Sequence, residues 1–357
     1  MTNQTITFPS LPLEESKNAT TEQHRRKGVC MAGWQVISWH HLQVVGSLLR
    51  GSPAYATKSL LGCKGWLMIQ RFFKPKAELE VRTRETCLPG VSLPVEVVVC
   101  LQEQLKPREV RLELVGEESY YVQETQAGPK GQTHIQTVQR VNAFTRVPYT
   151  VLEQPSLTPG VEASREVTIQ IPIDAPPSCR GKVVDVHWTL KAVLDVPGRR
   201  DQVRELPLQV MRSPFSARQD NEARIGLPAA KSLDDCSLTL DVPRMVAAKG
   251  VVSGRLQLKA QRKFQVRGIR VELVRQEDAG AEQADDVVAH QDLSGSVSFN
   301  ATESPSFAFS LPLPSVVAPT MVSPHSSLRW QVRAVLDRRM RSDFNIEQDV
   351  FIYNAPE

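Results

Sequence analysis

The 357-residue chain is 41% hydrophobic and 23% charged, the composition of a folded globular protein rather than a disordered or fibrous one. Its net charge of +4 is unevenly spread: residues 1–76 hold ten Lys/Arg against three Asp/Glu, and the rest is slightly acidic. A near-neutral body without a clustered basic footprint argues against nucleic-acid binding.

In chain order, residues 1–75 read as an N-terminal extension, partly disordered or accessory. Residues 1–30 are polar and aperiodic. Residues 31–50 carry a broken helical stripe of Trp34, Ile37, His41 and Leu48, interrupted by Gly33 and Gly46. Residues 58–76 (KSLLGCKGWLMIQRFFKPK) join basic and aromatic side chains with no acid. Lys64, Trp66, Arg71, Phe72, Phe73, Lys74 and Lys76 are therefore candidate contacts to an anionic membrane surface or a partner, against the plainer reading of a strand with solvent-facing lysines.

From Lys76 the period changes to two. Lys76–Arg82 alternates around Ala77, Leu79 and Val81, and Cys87–Gly90 (CLPG) punctuates it as a turn. Val91–Leu101 and Glu109–Val115 read as strands, and Gln123–Gln139 as a protruding hairpin or mobile loop. Val141–Tyr149, Glu166–Ile173, Val183–Val196 and Arg204–Met211 complete a first module of residues 76–211. In Val183–Val196, Val184, Val186, Trp188, Leu190 and Ala192 share one face, so Trp188 is expected to anchor the core.

Residues 212–235, rich in polar and turn-forming types, read as a linker that couples two self-contained cores loosely. The second module, 236–357, repeats the plan: strands at Cys236–Asp241, Gly250–Ala260 and Phe264–Val274, an acidic loop at Asp278–His290, two strands within Ser294–Leu313, the Trp330 strand and a last strand near Asp349–Tyr353. Trp330 is the second expected core anchor.

The two modules echo one another. WTLKAVLDVPGRRD (Trp188–Asp201) and WQVRAVLDRRMRSD (Trp330–Asp343) align without a gap, sharing Trp188/Trp330, Ala192/Ala334, Val193/Val335, Leu194/Leu336, Asp195/Asp337, Arg199/Arg341 and Asp201/Asp343. RLELV (Arg111–Val115) matches RVELV (Arg270–Val274), and IQIPI (Ile169–Ile173) is set against FSLPL (Phe309–Leu313). Order is kept, which indicates a duplicated module. Many short strands separated by Pro/Gly turns predict an all-β chain of two tandem immunoglobulin-type β-sandwiches, with a barrel in each half as the alternative.

Pro176–Asp195 (PPSCRGKVVDVHWTLKAVLD), Ser327–Asp337 (SLRWQVRAVLD), Glu78–Val99 with its Pro-Gly turn, and Leu238–Leu258 together resemble the arrestin-like superfamily, most closely its arrestin-domain-containing (alpha-arrestin) branch. The retromer arrestin-like subunit and bacterial sporulation-control proteins are more distant relatives. The resemblance implies two arrestin-like sandwiches in a cup-shaped pair. It further implies an adaptor that recruits membrane proteins, trafficking machinery or ubiquitin ligases without an active site. The chain departs from the pattern in having no PPxY, since its one Pro-Pro pair, Pro176–Pro177, precedes Ser178 and Cys179. Arrestins also hold a buried charged cluster between domains. Asp195, Arg199, Asp337 and Arg341 do not map onto it, and their plainer reading is turn-capping at strand ends.

Catalytic motifs of the local kind are missing, and an enzyme is not expected. No cofactor and no metal site are expected: the six cysteines (Cys30, Cys63, Cys87, Cys100, Cys179, Cys236) show no C-x-x-C spacing, and the adjacent His40 and His41 would point to opposite strand faces. Free thiols, no apolar leader and no membrane-length apolar run lead to a cytoplasmic expectation, with peripheral membrane attachment as an extension of it. The functional expectation is a non-catalytic adaptor or scaffold whose protein partner binds a concave face or adds a strand to a sheet edge. A self-assembling structural protein is the alternative, and an exported adhesin the third.

Overall fold

A computed structural model describes residues 74–127, 132–214 and 228–354, which fall in the second of the chain's two units. Lys64, Trp66, Arg71, Phe72, Phe73, the rest of the N-terminal extension before residue 74, and much of the linker lie outside the described residues.

The first half contributes β1 (Ala77–Arg82), β2 (Thr86–Cys87), β3 (Ser92–Leu101), β4 (Glu109–Ala127), β5 (Thr133–Glu153), β6 (Glu162–Gln170), β7 (Cys179–Arg180), β8 (Asp185–Asp195) and β9 (Gln202–Val210). A small sheet, β1-β3-β6, packs against a large one, β2-β9-β8-β4-β5, with β7 on β8. The second half contributes β10 (Ala229–Ser232), β11 (Cys236–Asp241), β12 (Met245–Ala247), β13 (Val251–Ala260), β14 (Phe264–Ala279), β15 (Glu282–Ser294), β16 (Val297–Phe299), β17 (Ser306–Pro312), β18 (Met321–Val322), β19 (Ser327–Arg338) and β20 (Phe344–Tyr353). Its small sheet is β10-β11-β13-β17 and its large one β12-β20-β19-β14-β15, with β16 on β14 and β18 on β19. Each half is an all-β sandwich of two sheets.

Period-two alternation builds both cores. In β3, Leu93, Val95, Val97, Val99 and Leu101 face Leu112, Leu114, Trp188 and Leu190 of the large sheet, all buried. Each such side chain removed from water contributes about 1.5–3 kcal/mol. Trp188 and Trp330 are set alike: each indole N–H donates to a carbonyl twelve residues upstream, Pro176 O at 2.8 Å and Ala318 O at 3.0 Å. Gly116 exists for Trp188, because a Cβ there would come within 2.9 Å of the indole and 2.6 Å of the Phe144 ring that packs edge-on against it.

Strand registers correct several expectations. The acidic stretch Asp278–His290, read as a loop, is the end of β14 and most of β15, joined by a turn in which Gly280 (φ 76) donates to the Asp278 carboxylate. Its charges are tolerated because β15 is an edge strand exposing alternate residues. The end of the linker is not free either: Ala229–Ser232 pairs with Ser237–Leu240 as an added strand. The third echo is two residues out of register. Pairing of β6 with β3 and of β17 with β13 places Ile169 opposite Leu93 and Leu311 opposite Val252, which equates Ile169 with Leu311 rather than with Phe309. The two cores, finally, are not self-contained. Cys179, Val184 and Val186 of the first half are buried in the hydrophobic cluster of the second.

Candidate functional site

The junction between the sandwiches is built by the duplication itself. Strands β4 and β14 carry inward-facing residues in matching series, Leu112, Leu114, Gly116, Glu118 and Val271, Leu273, Arg275, Glu277. Glu118 pairs across to Val186 of β8, and Glu277 to Leu328 of β19, the same point on the two Trp strands. These carboxylates come where the apolar series stops, and both residues are buried, at 0% and 2% exposure. Neither meets its own sandwich's loop. Each reaches the turn before the other's Trp strand.

Glu277 enters the turn between β7 and β8. Its Oε2 accepts the backbone N–H groups of Lys182 (2.6 Å), Val183 (2.9 Å) and Val184 (3.2 Å). Successive N–H groups of this kind form a natural anion cradle. Gly181 makes the space, since any Cβ there would collide with the carboxylate. The other oxygen, Oε1, lies 2.9 Å from Arg275 Nε but poorly aligned, an electrostatic contact rather than a hydrogen bond. Arg275 also faces Asp286 (3.4 Å), which pairs with Lys182 of the first half at 3.0 Å.

Glu118 enters the turn between β18 and β19. Its Oε2 accepts the Ser323 hydroxyl, the Ser326 hydroxyl (3.1 Å) and the His325 N–H (3.1 Å). Oε1 accepts from Asn142 Nδ2 (3.1 Å) and lies 2.8 Å from His325 Nδ1. The His325 ring stacks on Tyr120, centroids 4.3 Å apart. Burial acts to raise the Glu118 pKa, but the bonds from Ser323, His325 and Asn142 outweigh it and hold the carboxyl below its ordinary value.

Two further contacts join equivalent residues directly. Tyr121 bridges Gly280, one the counterpart of the other three positions past the paired glutamates. Arg212 N donates to Asn354 Oδ1 (2.6 Å) while Asn354 N donates to Arg212 O (3.2 Å), each two residues beyond Val210 and Ile352. Those two residues are equivalent as well, donating to Ser178 Oγ and Thr320 Oγ1, both at 2.9 Å. Contacts i–j matched by j–i, with self-pairs between them, define a local two-fold relation like that of an isologous dimer.

Beside the clasps lies a cleft of about 360 Å³ lined from the first half by Cys179, His187, Trp188 and Leu208 and from the second by Val316 and Pro319. Val316 is 88% exposed. His187 lies 3.1 Å from Glu117 on the solvent side. These groups offer hydrogen bonding and apolar contact.

Of the residues singled out in the sequence, Lys74 and Lys76 are exposed ahead of β1, and the Lys76 N–H is held by Glu103 at 3.1 Å. Trp188 and Trp330 are core residues, each 1% exposed. The strand-end charges pair inside their own halves: Asp195 with Arg108, Arg199 with Glu103, Asp337 with Arg267, Arg341 with Asp235. No motif in the sequence names Glu118 or Glu277, but extending the RLELV/RVELV echo by three residues reaches both.

Residues 76–215 match the family Arrestin (or S-antigen), C-terminal domain. The first sandwich is similar to that domain. The match ends at residue 215, and the shared Trp and Ser/Thr positions show that the second half has the same plan as the first. No curated protein matches the chain. Among the described residues no helix is long and apolar enough to cross a membrane, and no group of three metal-ligating side chains is gathered.

Proposed function

We infer that the chain is a non-catalytic, arrestin-like adaptor or scaffold of the alpha-arrestin kind, which binds protein partners in the cytoplasm and acts in trafficking or signalling at a membrane surface. The observation that carries the reading is the reciprocal clasp: it holds two sandwiches as one body and leaves a mixed polar and apolar cleft at their junction. The arrestin-like first sandwich supports it. The residues around the cleft offer an extended peptide an apolar anchor near Val316 with polar groups beside it, and peptide recognition draws on such combinations.

The test compares affinity purification from native cells using the intact protein and Val316→Asp. At 88% exposure this substitution leaves the fold alone. A defined set of partners lost with Val316→Asp supports the cleft as the docking site, whereas no specific partner with either protein, or an intrinsic turnover activity, overturns the adaptor reading. The membrane contact is tested separately by co-sedimentation with vesicles containing anionic lipid; it rests on the basic, aromatic segment that holds Lys64, Trp66, Arg71, Phe72, Phe73, Lys74 and Lys76.

A second reading, self-assembly, is favoured by β5. It is a long edge strand that exposes Ile135 and Val141, and open edges of that kind template pairing with another chain. Light scattering that grows with concentration would favour it over the adaptor.

A further inference from the structure

Among the differences between the two clasps is one hydroxyl that the fold does not require. Where the first-half turn has Gly181, the second has Ser323; the backbone closes in the same way at both, Gly181 N–H to Val184 O and Ser323 N–H to Ser326 O, each 2.8 Å. A residue without a hydroxyl therefore suffices to build this turn. Ser323 nevertheless places its Oγ against the buried Glu118 carboxylate, 2.6 Å from the Ser326 hydroxyl. It is followed by Pro324, and Val322, Pro324 and His325 are all exposed. The serine thus combines a hydroxyl at the heart of the junction with a Ser-Pro dipeptide on an accessible turn.

The geometry points to Ser323 as a phosphorylation site, read by a kinase that selects serine before proline, whose phosphate releases the Glu118 clasp and loosens the two sandwiches. The kinase transfers the terminal phosphoryl group of a nucleoside triphosphate: the Oγ–P bond forms and the P–O bond to the leaving diphosphate breaks. The diphosphate departs with the electron pair, and the hydroxyl proton passes to the kinase's base. The modified residue carries about −1.5 to −2 charge at neutral pH. Its Oγ can no longer donate, and its charge faces a buried carboxylate, where screening is weak. Glu118 must then leave the turn or the turn must leave Glu118. The reciprocal clasp at Glu277 has no hydroxyl at that position and stays closed, so phosphorylation loosens one side of the junction only. Other such dipeptides occur at Ser52–Pro53, Thr158–Pro159, Ser213–Pro214 and Ser304–Pro305, but Ser323 is the one whose hydroxyl holds Glu118.

The experiment treats the intact protein with a proline-directed kinase and ATP, maps phosphate by mass spectrometry and follows amide hydrogen exchange. Because the His325 N–H is itself bound by Glu118, its exchange reports the clasp directly. The expected result is phosphate on Ser323 with exchange at 323–326 faster by about tenfold, the scale of one lost charge-assisted hydrogen bond. Exchange at 182–184 should change much less. Ser323→Ala should abolish the effect, and Ser323→Gly, which copies the first-half turn, keeps a folded control. Phosphate confined to the other sites, or phosphate on Ser323 with unchanged exchange at 323–326, overturns the proposal.

Discussion

Glu118 and Glu277 are the same residue of a duplicated module, and each places its carboxylate in the other module's turn. Burying a carboxylate costs several kcal/mol unless its oxygens are met. Here backbone N–H groups meet one and hydroxyls, an amide and a histidine meet the other. Leaving either set of donors unpaired is costly as well. The polar pairs therefore fix which turn meets which strand, and Cys179, Val184 and Val186, buried in the second half's cluster, add apolar contact across the same junction.

Gly181→Ala tests the first clasp without touching a charge. The added methyl collides with the Glu277 carboxylate, and overpacking of this kind costs about 1–3 kcal/mol. Urea unfolding should show that loss. Gly295→Ala, where nothing lies within 4 Å and, as at Gly181, φ is not positive, is the control for adding a methyl without a collision.

Acid should weaken the second clasp. The Glu118 pKa is depressed in the folded state, so its contribution is fully present above the unfolded carboxylate value of about 4.3. It is lost as pH falls through the lower, folded value. Melting temperature measured from pH 7 to pH 3 should fall on the acid side, and Glu118→Gln should flatten that fall while lowering stability at neutral pH. An acid limb identical in both proteins would assign the loss to other carboxylates.

Truncating either tryptophan removes a buried aromatic and its indole hydrogen bond. Trp188→Ala and Trp330→Ala should each cost about 3–5 kcal/mol. Because Val186, on the strand of Trp188, and Val184, just before that strand, also belong to the second core, Trp188→Ala should destabilise both halves. Hydrogen exchange in β13 and β19 should rise with it.

Thiol reactivity should follow burial. Burial raises Cys179 to about 12 and Cys87 and Cys236 to about 11, so little reactive thiolate is present at pH 8. Cys100 is partly exposed. Alkylation of the native protein read by peptide mass should modify Cys100 well before the other three.

Much of the fold was legible because period-two patterning and repeated Trp strands are local signals: Val184 to Ala192 alternate as half-buried strands do. The junction was less legible. Which turn a buried glutamate will enter depends on how two sheets pack, and nothing adjacent to Glu277 names Gly181 or Val183. The charge density of the acidic stretch at β15 suggests a loop, whereas an edge strand carries charge on its open side at little cost. The third echo slipped because short apolar runs align at several offsets, and only pairing with β3 and β13 fixes the register.

The most direct test of the reciprocal clasp is the unfolding of Glu118→Ala/Glu277→Ala beside the unmodified protein, followed by tryptophan fluorescence and by proteolysis across residues 212–235. With both clasps and a shared core, the unmodified protein should unfold in one cooperative transition. The double variant should separate into two, with the 212–235 segment cleaved first. Two transitions already present in the unmodified protein, with midpoints unmoved by the substitutions, would contradict it.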